Sequence, residues 1–328
     1  MEGPFLEKII MILLTLVVMS GCSAVTKSTS SPEPYSVGIL LSDSGLGDDS
    51  FNDLAFNGLE RSRDELGIIF DYAEAPDGNM EGALEELINQ KHDLIIGLGF
   101  SVQEALEIEA KKHPKQAFLL IDATSDLENV TSVTFKEHEG SFLVGMVAAM
   151  TSKTGTVSFI GGEDAPVIHK FQSGFEQGAR YAKSDINILT GYTNSFNDLN
   201  AGERLAGDQI KKKSDFIYAA AGMSGIGSLK TAQAKGVLSA GVDADQFFIA
   251  EKSVATSMMK NVDIAIYNFI DNTLNEKKQT PSSYELGLSE NGVGLAQIRI
   301  VNLKPDQMKK LDEAKEKIIS GDIDVEAP

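Results

Sequence analysis

The chain has 328 residues, no tryptophan, one cysteine, and 48 Asp+Glu against 29 Lys+Arg, for a formal net charge of −19. So acidic a surface repels phosphate backbones and excludes a general nucleic-acid binder built on a basic stripe, and a lone cysteine excludes a disulfide framework within the chain. With 42% hydrophobic and 23% charged residues the composition is globular rather than disordered, and the length suits roughly two domains.

Residues 9–19 (IIMILLTLVVM) form an apolar run too short for a comfortable membrane span and read as the h-region of a signal peptide. The run ends in Met19-Ser20-Gly21-Cys22, which resembles the lipobox at which bacterial lipoproteins are cleaved and acylated. Residues 1–21 are therefore expected to be the signal peptide. Cys22 is expected to carry the lipid that anchors the protein to the extracytoplasmic face of the cell membrane. Two features depart from the pattern: Met19 stands where Leu is usual, and Lys8 is the only base of the leader, beside Glu2 and Glu7. Residues 22–34, rich in Ser, Thr and Pro, read as a flexible tether.

From residue 35 the chain alternates short apolar runs with amphipathic helical patterns. Strands are predicted at 37–41, 68–72, 93–99 and 117–122, with helices at 51–66, 80–90 and 105–112 between them. A long helical stretch at 139–150 leads into a second array. Its strands are predicted at 156–160, 186–190, 215–221 and 237–242, and its helices at 167–183, 200–212 and 224–235. Further helices are expected at 260–275 and 305–319. Continuous apolar strands separated by helices indicate parallel sheets covered on both faces. Two such arrays imply two similar α/β domains, with the chain crossing between them more than once. The first domain is assigned 35–136 plus about 257–282, the second 137–256 plus about 283–328.

In open α/β sheets, ligands sit beyond the carboxyl ends of the strands. There the sequence collects carboxylates, amides, aromatics and glycines: 42–52 after the first strand, 97–101 after the third, Asp122 after the fourth, then 161–164, 219–225 and 243–246. Neither glycine cluster fits a dinucleotide or P-loop fingerprint, and carboxylates would repel a phosphate. The four histidines (His92, His113, His138, His169) are scattered, read mostly as surface or loop positions, and make no metal-ligand pair. No nucleophile elbow occurs, so no catalytic constellation, cofactor or metal is expected. The set suits a neutral polar ligand with a flat ring. Aromatics can sandwich the ring, Asp and Asn can read its edges, and a carboxylate can accept two hydrogen bonds from a vicinal diol.

Several segments, quoted in order, resemble one family. They are Asp43-Ser-Gly with Asp49-Ser-Phe-Asn52, Gly97-Leu-Gly-Phe100, Phe135-Lys-Glu-His-Glu-Gly-Ser-Phe142, Ala220-Ala-Gly222, Gly241-Val-Asp-Ala-Asp-Gln246 and Thr256-Ser-Met-Met-Lys-Asn-Val-Asp263. They look like the basic membrane protein family of substrate-binding lipoproteins, whose better understood members are purine-nucleoside receptors for ABC transporters. The likeness covers nearly the whole chain after the tether and implies a two-domain type I periplasmic-binding-protein fold, each domain a parallel sheet flanked by helices. By that resemblance Phe51 stacks on the purine and Tyr218 on its other face, Asn52 and Asp122 meet the base edge with Asp43, and Asp243 and Lys260 bind the ribose over Gly222. Lys260 is expected at the head of a helix. The loop from Asp43 to Phe51 is one residue shorter than in the nucleoside receptors, and Met223 replaces a common glycine. The implied partners are a purine nucleoside such as guanosine, inosine or adenosine, an ABC permease and its ATPase, and a membrane held through the lipid. A monomer that delivers its ligand by hinge closure is expected. The alternatives are a non-transport surface lipoprotein of the same fold (sensor, regulator or adhesin) and a nucleoside-processing enzyme.

Overall fold

A computed structural model describes residues 33–275 and 282–328. The expected export segment, Cys22 and all but the last two residues of the expected tether lie outside the described residues. The chain first runs through β1 (Ser36–Leu40), α1 (Phe51–Leu66), β2 (Ile69–Ala73), α2 (Met80–Asn89), β3 (Leu94–Leu98), α3 (Gln103–Lys112), β4 (Ala117–Ile121) and β5 (Val130–Phe135). It then builds a second array from α4 (Glu137–Thr151), β6 (Thr156–Gly161), α5 (Pro166–Ala182), β7 (Asn187–Tyr192), α6 (Leu199–Lys211), β8 (Phe216–Ala220), α7 (Gly222–Lys235), β9 (Leu238–Asp243) and β10 (Val254–Lys260). Helix α8 (Val262–Leu274) and β11 (Ser283–Leu286) follow, then β12 (Val293–Leu295) and α9 (Pro305–Ser320).

Two six-stranded sheets result, in the orders β11-β5-β4-β3-β1-β2 and β12-β10-β9-β8-β6-β7. Every pairing is parallel except β12 on β10. Central strands are apolar along their whole length because helices cover both faces: all five residues of β3 and of β8 are buried. Helix α4 is buried from Glu137 to Ala149, and so shows apolar residues on every side.

The helices pack at glycines. A methyl group at Gly178 of α5 would lie 1.9 Å from the Phe142 carbonyl oxygen of α4, and one at Gly202 of α6 would lie 1.8 Å from the Ser224 carbonyl oxygen of α7. Gly58 brings α1 against Asp263 of α8, where a methyl would lie 2.7 Å from the carbonyl oxygen, so α8 rests on the first sheet's helices although it follows a strand of the second.

Three corrections to the sequence reading follow. Residues 254–260 (VATSMMK) form β10, a strand the sequence did not signal, and Lys260 ends it rather than starting the helix expected at 260–275. This strand is fully covered but carries Thr256 and Ser257, whose hydroxyls bond Ala296 O at 2.8 Å and Gln246 N at 3.1 Å. Its burial therefore does not show as an apolar run. Because β10 joins the second sheet and β11 the first, the crossings expected at 257 and 283 fall at about 261 and 287–292. His92 and His138 are buried, not at the surface. The crossings are laced together: Lys136 N donates to Leu286 O at 3.0 Å, Asn261 N to Gly292 O at 2.9 Å, and Leu288 N to the Glu139 carboxylate at 2.7 Å.

Candidate functional site

The carboxyl ends of both sheets meet at one cavity. The first half contributes Asp43, Ser44, Ser50 and Phe51 from the β1–α1 loop, Phe100 after β3, and Asp122 after β4. The second contributes Phe171 of α5, Phe196 of the β7–α6 loop, Gly222 at the start of α7, Asp243 at the end of β9 and Lys260 at the end of β10.

Asp122 and Asp243 both follow directly on apolar strand residues and both take left-handed backbone angles, φ 65° and 63°. For a side chain larger than glycine this costs roughly 1–3 kcal/mol. The strain is found where both carboxylates line the cavity. Beside Asp122 lies the Lys260 ammonium, 2% exposed, which also acts on Asp243 through its charge. It is hydrogen-bonded to Asp122 Oδ2 and lies 3.0 Å from Glu137 Oε1. The rings of Phe51 and Phe135 stand 5.0 Å from Lys260 Nζ, and that of Phe171 stands 5.5 Å away, within cation–π range. Ser50 Oγ donates to Asp243 Oδ2 at 2.9 Å. The remaining oxygens, Asp122 Oδ1 and Asp243 Oδ1, are buried and find no hydrogen-bond partner among the described residues.

Burial pushes the Asp243 carboxyl up to about 7, with Lys260 and Ser50 pulling against it. It also raises Asp122, against the opposing pull of Lys260. For Lys260 burial favours the neutral amine, but Asp122, Glu137 and Asp243 together more than offset it and raise its pKa. Lys260 is therefore an ammonium at neutral pH, as a buried cation with several counter-ions should be.

The β1–α1 loop is held by its own carboxylates. Asp48, 1% exposed, accepts from the backbone N–H groups of Ser50 and Asn52 at 3.0 Å. Asp53 accepts from Gly47 N and Asp49 N at 2.8 and 2.9 Å. The bond to Asn52 N, with one from Asp53 N to Asp48 at 3.3 Å, satisfies free donors in the first turn of α1, and the others brace the loop that leads into Phe51.

Of the eight ligand positions expected from the sequence, the structure brings Asp43, Phe51, Asp122, Gly222, Asp243 and Lys260 to the cavity. Asn52 and Tyr218 are not there. Asn52 is fully buried and its amide is consumed inside the loop: Oδ1 accepts from Ser42 N and Nδ2 donates to Asp48 Oδ2, both at 2.9 Å. Tyr218 is fully buried in the core, its ring centroid 5.6 Å from that of Phe159 and 5.3 Å from that of Phe175, with its hydroxyl 3.0 Å from Ser141 Oγ. Strand β8 is central and covered on both faces, so Tyr218 is taken up by the packing. Lys260 closes a strand and does not head a helix. Gly222 has φ 52°, and a methyl there would lie 3.0 Å from both Phe196 O and Ser44 Oγ.

Phe100 stood among the expected strand-end residues without a ligand role, and Phe171, Phe196 and Glu137 were not singled out. Phe100 and Phe196 meet across the cavity, ring centroids 6.2 Å apart and steeply inclined at 65°. Phe100 and Glu137 lie inside segments that carried the family likeness. Phe171 and Phe196 had no such signal, one being an ordinary apolar position of a helix and the other an isolated aromatic in a polar loop.

Residues 35–327 match the PnrA-like family of ABC transporter substrate-binding proteins. The chain belongs to that family. Basic membrane protein A of Borreliella burgdorferi is 33% identical over 325 residues, 96% of this chain and 94% of that protein. An uncharacterized lipoprotein of Pyrococcus abyssi is 33% identical over 303 residues, 87% of this chain and 75% of its own. The crystal structure of an ABC transporter solute-binding protein from Aeropyrum pernix superposes with a TM-score of 0.82 at 29% identity, covering 90% of this chain and 94% of that one. The PnrA-like protein thus has the two-domain type I periplasmic-binding fold. It is a substrate-binding protein of the ABC-transporter class, a class of binding proteins rather than enzymes. A transcriptional activator from Bacillus halodurans shares the fold at 21% identity and a TM-score of 0.75.

Proposed function

We propose that the protein captures a purine nucleoside between its two domains and passes it to an ABC permease and ATPase by hinge closure. The observation that carries this reading is the pair of buried carboxylate oxygens on Asp122 and Asp243 without hydrogen-bond partners among the described residues, lining one cavity with the Lys260 ammonium. Buried acceptors left unpaired are costly. A ligand offering two adjacent hydroxyls supplies the missing donors, while Lys260 donates to a sugar oxygen. Phe51 and Phe100 on one side and Phe171 and Phe196 on the other supply flat apolar walls for a base, in place of the expected Tyr218. Asp43 and Ser44, with backbone at Gly222, are left for the polar edge of the ring.

Each half of the cavity comes from a different sheet, so the complete ligand set exists only when the halves meet. This is the condition for capture by closure. Membrane attachment through Cys22 belongs to the same proposal. It draws on the lipobox-like residues and on the lipoprotein named among the relatives.

The test is a thermal-shift screen of the purified protein against nucleosides, free bases, nucleotides, sugars and amino acids, followed by calorimetry. A shift confined to purine nucleosides is expected. No shift with any nucleoside would remove the ligand assignment and leave the family. A non-transport sensor would bind the same ligand, and is distinguished by unchanged nucleoside uptake in cells lacking the protein.

A further inference from the structure

Lys260 has two partners, and they differ in where they sit. Asp122 follows β4 of the first sheet, whereas Lys260 ends β10 of the second, so this pair spans the cavity. Glu137 stands two residues beyond β5, at the first crossing between the halves, and Lys260 stands at the second. Glu137 is 1% exposed, with Oε1 3.0 Å from Lys260 Nζ and Oε2 3.6 Å from Lys170 Nζ. Lys170 in turn donates to Phe135 O at 3.1 Å, the last residue of β5, and lies 3.8 Å from Glu285 of β11, beside the third crossing. Charges of alternating sign therefore run from the cavity floor along all three crossings to the surface, in the order Asp122, Lys260, Glu137, Lys170, Glu285.

Residues at a hinge move least relative to one another when the halves separate, while groups facing each other across the opening move most. Opening the cleft stretches the bond from Lys260 to Asp122 and leaves the one to Glu137 in place. A buried ammonium without a partner is strongly unfavourable. We propose that Glu137 is a positioning residue of this site: it is the hinge-side counter-ion that keeps Lys260 charged and aimed into the cavity in both open and closed forms. Its carboxylate sits in the first turn of α4, where the partial positive charge of the helix start favours an anion, and it is held between Lys260 and Lys170. Its effect on the ligand passes through Lys260, not through contact.

The affinity arm of the test rests on the nucleoside reading; a second arm does not. Four full-length proteins are compared: the natural chain, Glu137→Gln, Lys260→Met and the double variant. By calorimetry with a purine nucleoside, Glu137→Gln is expected to weaken binding about tenfold in the natural background, and by less than about twofold beside Lys260→Met, because the interaction it removes is already gone. Glu137→Asp, which keeps the charge, should recover most of the loss. Equal weakening in both backgrounds, or no weakening, overturns the proposal. If the natural chain binds no nucleoside, the functional reading falls, and urea unfolding of the same four ligand-free proteins decides. Non-additive midpoints support the Glu137–Lys260 pair, and additive ones overturn it. If Glu137→Gln alone fails to fold, recovery of folding in the double variant supports the pairing and continued failure overturns it.

Discussion

Asp243 shows how one residue can link stability to ligand capture. Burial holds its carboxyl up to about 7 in the folded protein against an ordinary 3.8. Below about pH 4 both folded and unfolded chains keep the proton. Between 4 and 7 the unfolded chain has lost it while the folded chain keeps it, so the contribution of this group to stability falls as pH rises. Above 7 the full cost of a buried anion is present, at the limit roughly 4 kcal/mol. Asp243→Asn removes the ionisation while keeping the shape. Urea unfolding at pH 4.5, 6 and 8 should show the stability of the Asn variant gaining on the natural protein at each step. A gap that stays constant with pH would mean that Asp243 does not carry a buried proton. Nucleoside affinity should move the other way in the natural protein, rising over the same interval, because a ligand hydroxyl donating to Oδ1 favours the carboxylate.

At the scale of elements the glycine contacts between helices set a sign that helix propensity alone gets wrong. Gly178→Ala improves intrinsic helix formation by about 1 kcal/mol. Its methyl would nonetheless sit 1.9 Å from a backbone oxygen of α4, and two buried helices must separate to admit it. Overpacking of this kind typically costs 1–3 kcal/mol or more, so a net loss of roughly 2 kcal/mol is expected. Gly207→Ala on α6 is the control, since a methyl there meets nothing within 4 Å; it should stabilise by about 0.5 kcal/mol. Thermal unfolding of both variants measures the contrast, and a stabilised Gly178→Ala would contradict the close approach of α4 and α5. The same scale shows what could be read in advance. Strands such as β3 and β8, apolar because both faces are covered, and helices between them were legible from periodicity. Strand β10 was not, because Thr256 and Ser257, whose hydroxyls are hydrogen-bonded, interrupt its buried apolar residues Val254, Ala255 and Met258. The strand-end rule found Asp122 and Asp243. It could not say that Tyr218, two residues from the end of β8, is absorbed by the packing around Phe159 and Phe175, since that depends on which side of a covered strand faces the cavity. Asn52 and Phe51 are adjacent, yet the loop folds one inward and leaves the other at the site, a distinction made by hydrogen bonds within the loop to Ser42 and Asp48 that hydrophobic periodicity does not show.

For the molecule as a whole, charge sets which form of a ligand the cleft can close on. The protein carries a formal −19, and the cavity holds Asp43, Asp48, Asp122 and Asp243 beside the single Lys260, which is already paired with Asp122 and Glu137. A phosphate adds about −1.5 to −2 charges near neutral pH, and no further Lys or Arg lines the cavity to receive it. Domain closure would desolvate that charge among carboxylates, where like charges strongly disfavour one another. Nucleosides are therefore expected to bind at least about a hundredfold more tightly than their 5′-monophosphates, a difference of roughly 2.7 kcal/mol. In a melting experiment a nucleoside at a hundred times its Kd should itself add about 2.7 kcal/mol of stability, while the monophosphate at the same concentration should add only a few tenths. Raising the salt concentration should narrow the gap by screening the outer surface and Asp43, but not close it, because the side chains of Asp48, Asp122 and Asp243 are buried beyond the reach of the ions. Equal shifts for both ligands at low salt would mean that the phosphate stays outside the closed cleft or that the carboxylates around Lys260 hold protons, and calorimetry of the monophosphate with Asp243→Asn separates the two, since only the second predicts no change in affinity.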